Sequence, residues 1–358
     1  MVHYDPFSAE VMEDPLPIYK QLRDEAPAYR LERFDAWALS RFADIWDSSS
    51  DPRFSAAHGT TSSQLLTKVQ PVTPMLNVMD PPTHTQLRVA IRPRFARKSI
   101  RDLEPVIREI VRDAMAKVRD QGRCDAMGEL ASQLSVKVTC MAIGIPLADA
   151  DHLNQLVWRF FDREEGVDGM TPNGLAAAME LTEYLMKLVD ERRKGADDAD
   201  DVVNMLRSIE IDGSKLDDES IGSHLSMLVI GGSETFPKTL ATTLQRLAEH
   251  PDQRARCAAD PSLIPGAYEE ALRYDMPTQF LGRTLLENVE MHGQTMKKGD
   301  AVLFLYPSAN RDDREFDGDP DRFDIDRRPA RILTFGAGTH ACLGFHVAKM
   351  EGKVCLEE

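Results

Sequence analysis

The chain has 358 residues, 42% hydrophobic and 28% charged, a soluble globular mix long enough to bury a large core. Its net charge of −16 excludes a general nucleic-acid binder, whose phosphate contacts need a basic surface. Five scattered cysteines without a C-x-x-C exclude a disulfide framework and a conventional zinc module, and no signal pattern or run near the ~18 apolar residues of a membrane span occurs, so the chain reads as a reduced, cytoplasmic protein.

In chain order, "PLPIYKQLRDEAP" predicts a short amphipathic helix with Pro near its start, and "RLERFDAWALSRFADIWDSSSDP" a small hairpin followed by a helix. Residues 55–80, rich in Ser, Thr, Pro and Met, read as a long loop of the kind that is often functional. Helical periodicity resumes over 82–98, 104–120, 126–143, 148–163 and 172–194, and residues 191–201 form a charged, solvated connection. The longest helix begins near Asp217 and carries Ile221, Leu225, Leu228, Val229, Leu240, Leu244 and Leu247 on a 3.6-residue period. Within it, Pro237 removes the amide that would bond the Ser233 carbonyl, which predicts a kink rather than a break. Helices near 251–258 and 264–274 follow. "RTLLENVEMHGQTMKKGDAVLFLYP" reads as short strands turning at His292-Gly293 and Gly299-Asp300, and a Pro- and Asp-rich meander occupies 311–330. The expected fold is mainly α with a small β region, in one domain spanning 1–358.

The meander leads into "FGAGTHACLG", residues 335–344. Its glycines let backbone amides approach a sulfur or a flat cofactor, and the helical segment after it puts Cys342 at a helix N-terminus, where a thiolate is favoured. Taken alone, the loop is also a turn holding an inert, buried thiol. A zinc site on His340, Cys342 and Cys355 lacks an evident fourth ligand.

Phe335, Gly336, Gly338, His340, Cys342 and Gly344 fill every fixed position of F-G-x-G-x-H-x-C-x-G and so resemble the haem-thiolate signature of the cytochrome P-450 superfamily. The resemblance runs from about Asp5 to the last residue. It implies the P-450-like fold and one haem b, with Cys342 as the proximal ligand of the haem iron and Phe335 and Gly344 beside the cofactor. It implies that His84, Arg88, Arg283 and His340 bind the haem propionates, as cationic donors opposing carboxylates. Glu270 and Arg273, an E-x-x-R pair on one helix face, would be buried with Arg322 of the meander as an ion-pair lock on the cysteine loop. "GGSETFPK" resembles the oxygen-binding stretch: Thr235 would hydrogen-bond dioxygen, Glu234 would relay protons, and the Ser233 carbonyl freed by Pro237 would help build the proton-relay groove.

The implied reaction is monooxygenation of a lipophilic small molecule by O2, with Ile230, Gly231, Gln279, Phe280 and the loop 72–80 lining the pocket. No flavin or iron–sulfur motif is present, so electrons would come from a ferredoxin-type or other electron-transfer protein. Its docking surface would be the segment 88–101, which holds six basic residues and no acid. Two alternatives stand beside this reading: a peroxide-using enzyme of the same fold, which can dispense with the Glu234–Thr235 pair, and a shortened haem-binding or interaction protein without turnover. The family normally continues for some tens of residues past the helix that follows the cysteine, so part of the usual sheet and pocket wall is expected to be absent.

Overall fold

The computed structural model describes residues 2–69, 73–195, 199–211 and 213–358; parts of the predicted long loop (70–72) and of the charged connection (196–198) lie outside them. Helices dominate, with a small sheet at one side. The sheet has the order Ala28–Leu31, Ala36–Leu39, Ala301–Leu305, Phe280–Leu285, Phe54–Ser55. The central pair, Ala36–Leu39 and Ala301–Leu305, runs parallel and the other pairings are antiparallel. Every residue of those two central strands is buried, as expected for strands covered on both faces. The predicted turn at His292-Gly293 joins the strands Val289–Met291 and Gln294–Met296, with both turn residues at positive φ.

The main core is helical, built by Leu134, Val138, Leu181, Leu185, Ile221, Leu225 and Val229 among others. Most predicted helices form within a few residues of their expected ends. The largest shift is near Ala96: the expected 82–98 helix divides into Thr83–Ile91 and a 3-10 turn Arg92–Phe95, and the next helix starts at Arg97, running through Pro105 to Gln121. Residues 126–131 form a π-helical turn before Ser132–Ile143.

The long central helix is interrupted where Pro237 places the strain. Helical geometry runs over Asp218–Ser233 and again over Thr235–Glu249, with a bend at Glu234, whose backbone (φ −100°, ψ −33°) stays in the right-handed region. The two glycines before the bend have different surroundings. A Cβ on Gly231 would meet nothing within 4 Å, whereas one on Gly232 would fall 2.5 Å from Thr139 Oγ1. Gly232 therefore lets the bend press against the helix Ser132–Ile143, and Gly231 opens onto a cavity.

Candidate active site

A cavity of about 320 Å³ lies between the bend, the strand Phe280–Leu285, the helix Thr83–Ile91 and the loop 335–344. It is within the range of small-molecule sites. It is lined by Met227, Leu228, Gly231 and Thr235 of the central helix and by Cys342 of the loop. The Thr235 hydroxyl donates weakly to the Gly231 carbonyl, at 3.4 Å. A larger groove of about 680 Å³, bordered by Asp113, Lys117, Glu129 and Asn154, contains none of the motif residues.

The cysteine loop is shaped by positive-φ glycines. Gly336 (64°) and Gly338 (65°) adopt the left-handed region, and a Cβ on Gly338 would fall 2.2 Å from the Ser49 carbonyl. The Cys342 amide donates to the Phe335 carbonyl at 2.7 Å, which closes the loop. The exposed surface of Cys342 faces the cavity. Burial pushes its thiol up, while the Gly344 amide and the Arg88 guanidinium act in the opposite sense and favour a thiolate. Phe335 packs edge-to-face on Phe345, 4.7 Å between ring centres.

Four cationic or basic side chains border the same cavity: His84, Arg88, Arg283 and His340. The imidazoles of His84 and His340 lie 4.2 Å apart, centre to centre. His84 is 1% exposed, and neither of its ring nitrogens has a hydrogen-bond partner. Burial, and then the charge of Arg88, holds its pKa below the usual imidazole value. Burial, followed by Arg283 and His84, lowers His340 to about 3. Arg283 is buried and donates only to the carbonyl of Gly282, while Arg88 donates to that of Ala341. Among the described residues neither arginine has a carboxylate partner. Buried cations without anions are costly, and this cluster fits a ligand that brings two carboxylates.

The E-x-x-R pair is an ion pair with both side chains at 0% exposure. Arg273 binds both oxygens of Glu270 at 2.7 Å and donates to the carbonyls of Asn310, Pro320 and Arg322. The expected third member is corrected. Arg322 gives this lock only its carbonyl, and its side chain is exposed. The second arginine on Glu270 is Arg327, at 3.3 Å, because the turn from Asp324 to Arg327 folds that side chain back under the meander.

Three expected pocket residues lie elsewhere. Strand alternation turns Leu281 and Arg283 to the cavity and sends Phe280 into the opposite cluster with Tyr19 and Leu22. Gln279 accepts from the Tyr19 hydroxyl at 3.2 Å, and Ile230 packs into the helical core. Gly231 lines the cavity as expected, with Leu76 and Asn77 of the loop 72–80; residue 72 itself lies outside the described residues. Glu234, expected as the proton relay, does not line the cavity. Successive helical residues point about 100° apart, and while Thr235 faces the cavity, the Glu234 carboxylate pairs with Lys238, whose ammonium sits over the Phe161 ring.

Of the six basic residues in 88–101, Arg88 faces inward and Arg94 pairs with Asp200, leaving Arg92, Arg97, Lys98 and Arg101 exposed. Among the described residues no three His, Cys, Asp or Glu side chains converge as for a metal ion, and no helix is long and apolar enough to cross a membrane.

Comparison with known proteins agrees with this arrangement. The family model described as "Cytochrome P450" matches residues 168–264 and 262–358. A "Putative cytochrome P450 123" of Mycobacterium tuberculosis is 38% identical over 356 residues, 98% of this chain and 88% of its own length. The "Vitamin D(3) 25-hydroxylase" of Pseudonocardia autotrophica is 35% identical over 99% of this chain and 87% of its own. The crystal structure of CalO2 superimposes with a TM-score of 0.86 at 29% identity, covering 99% of this chain and 90% of that one.

Proposed function

The chain belongs to the cytochrome P450 family, as a haem-dependent monooxygenase, and from that premise we propose that it inserts one oxygen atom of O2 into a lipophilic small molecule, with electrons from a separate, acidic redox protein. One observation carries the reading: Cys342 and Thr235 line a single cavity that is also bordered by two imidazoles, His84 and His340, and by two arginines, Arg88 and Arg283, without a carboxylate partner among the described residues.

Haem, when bound, supplies dioxygen activation. Cys342 would be its sulfur ligand, with the Gly344 amide and Arg88 offsetting the negative charge of the thiolate. Arg88, Arg283, His84 and His340 would hold the two carboxylates. The cavity wall of Met227, Leu228, Leu76 and Leu281 would orient an apolar substrate and exclude water. The Thr235 hydroxyl, which lines the cavity, would hold a proton and pass it on. Glu234 would reload it from the outer side of the helix, where Lys238 now engages its carboxylate. The presence of Thr235 on the cavity wall favours the dioxygen route over direct use of peroxide.

The redox partner would dock above the cysteine loop. There Arg92, Arg97, Lys98 and Arg101 are exposed, and burial, followed by the charges of Arg97 and Lys349, lowers the pKa of His346. Arg92→Glu combined with Arg97→Glu is expected to slow reduction by an acidic ferredoxin about tenfold or more at low salt and to flatten its salt dependence. An unchanged rate would remove this surface from the account. The reaction itself is tested by screening lipophilic compounds for a spin-state shift and then supplying labelled dioxygen with reductant and redox protein. One labelled atom in the product is expected; a product formed only with peroxide would select the peroxide reading.

A further inference from the structure

The cavity wall carries a polar pair outside every motif used above, Thr60 and Asn77. Thr60 is fixed at both of its backbone polar atoms. Its amide donates to the Gln64 side chain at 2.8 Å, and its carbonyl accepts from the Gly282 amide at 2.7 Å, between Leu281 and Arg283 of the cavity wall. The local sequence builds this anchor. Thr61 and Gln64 form a reciprocal capping box on the helix Ser62–Leu65. Gly59, at φ 114°, lets the chain close onto Gln64, whose side chain a Cβ would meet at 2.5 Å. Thr60 is 3% exposed, and this anchoring presets its side chain. Asn77 comes from the 3-10 turn Leu76–Val78 and is held between buried Leu76 and Val78.

The pair is short of partners by one donor and one acceptor. Asn77 Nδ2 donates to the Thr60 hydroxyl oxygen at 3.3 Å, so Thr60 is the acceptor there and its own proton is uncommitted. The hydroxyls of Thr235, Thr239 and Thr334, which border the same cavity, each donate to a backbone carbonyl instead. Oδ1 of Asn77 is buried without a hydrogen-bond partner. A hydrocarbon packed against the pair would leave both groups unpaired, which is unfavourable. A hydroxyl group brings one acceptor and one donor and satisfies both. We propose that Thr60 and Asn77 form a hydroxyl-binding subsite, so that the substrate is a lipophilic alcohol whose oxygen accepts from Thr60 and whose proton goes to Asn77 Oδ1. Oxidation then breaks a C–H bond at another carbon and forms a C–O bond there. It uses the O2 and electrons of the monooxygenation proposed above, and the other oxygen atom leaves as water.

The inference rests on the reading of this cavity as the substrate site, and its test needs no turnover. The probes are two matched sets: menthol, menthone and p-menthane, and the smaller cyclohexanol, cyclohexanone and cyclohexane. Calorimetry gives their affinities for the haem-loaded wild type, Thr60→Val and Asn77→Leu. The ratio of variant to wild type cancels each ligand's own hydration. The alcohols should bind about threefold to tenfold more weakly to each variant, as expected for one lost hydrogen bond. The hydrocarbons should bind as well as before or better, which also shows that the variants are folded. The ketones, which only accept, should weaken in Thr60→Val alone. Thr60→Ser, which keeps the hydroxyl, should bind the alcohols as wild type does. Equal responses of alcohol and hydrocarbon, or no binding of either alcohol, would overturn the inference. Ketones weakened by Asn77→Leu instead would also overturn it, since the amide would then be the donor. A wild type without the thiolate-type spectrum would fail the functional reading, and the calorimetric affinities would still decide the subsite.

Discussion

Two arginine clusters in this molecule differ in how their donors are satisfied: Arg273 is fully buried, and around the cavity Arg283 is buried and Arg88 half-buried. Arg273 has no free donor direction: Glu270 takes two of its hydrogen bonds and three backbone carbonyls take the rest. Around the cavity, Arg88 and Arg283 each reach one carbonyl, His84 reaches nothing, and burial, followed by the neighbouring charges, lowers the proton affinity of His84 and His340. A saturated buried cation is part of the framework. An unsaturated cluster of them is a site for an anion that the chain does not itself provide.

The comparison is broken most severely by removing one side of the saturated pair. Glu270→Ala leaves Arg273 buried and uncompensated and should cost about 3–5 kcal/mol, measured by denaturant unfolding. The meander tells the two candidate partners apart. Arg327→Ala loses the Glu270 contact and its bonds to the carbonyls of Asp317 and Asp319, and should cost about 1–3 kcal/mol. Arg322→Ala should stay within about 0.5 kcal/mol. The reverse order would restore Arg322 to the lock.

The unsaturated cluster should respond with the opposite sign. Arg283→Ala removes a repelling charge, so the haem-free protein should be as stable as wild type or more so. Haem affinity should fall about tenfold to a hundredfold, from the loss of one charge-assisted hydrogen bond. A stability loss like that of Glu270→Ala would place Arg283 in the framework instead.

Much of this was legible in the sequence. Helix periodicity placed the main elements, Pro237 marked the bend of the central helix, and the ten-residue cysteine loop identified the site. What escaped reading depends on which way a side chain turns. Arg322 and Arg327 sit in the same meander, and only the turn from Asp324 to Arg327 selects between them. The signal against Phe280 was available, since it is out of phase with Arg283 on one strand and two such residues cannot share a face. Ile230 is decided by the phase of its helix, which packs it against the helical core, and for Gln279 no sequence pattern existed, since its partner Tyr19 is far away in the chain.

The smallest expected effect is acid sensitivity. The folded-state pKa of His84 is depressed below its unfolded value, so its neutral form costs nothing above that value. As pH falls through about 6.5, the unfolded chain binds the proton first and the haem-free protein loses stability, progressively down to the folded pKa. His84→Gln should flatten that slope in an unfolding series against pH. Bound haem should flatten it as well, by supplying carboxylates that accept the imidazolium.

The central claim is that Cys342 and the unsaturated cluster together form a haem-thiolate site. The most direct measurement is the carbon-monoxide difference spectrum of the reduced protein, wild type against Cys342→Ser. The account predicts a red-shifted band of the thiolate type that is lost in the serine variant. The same band in both proteins, or no haem retained by wild type, would contradict it.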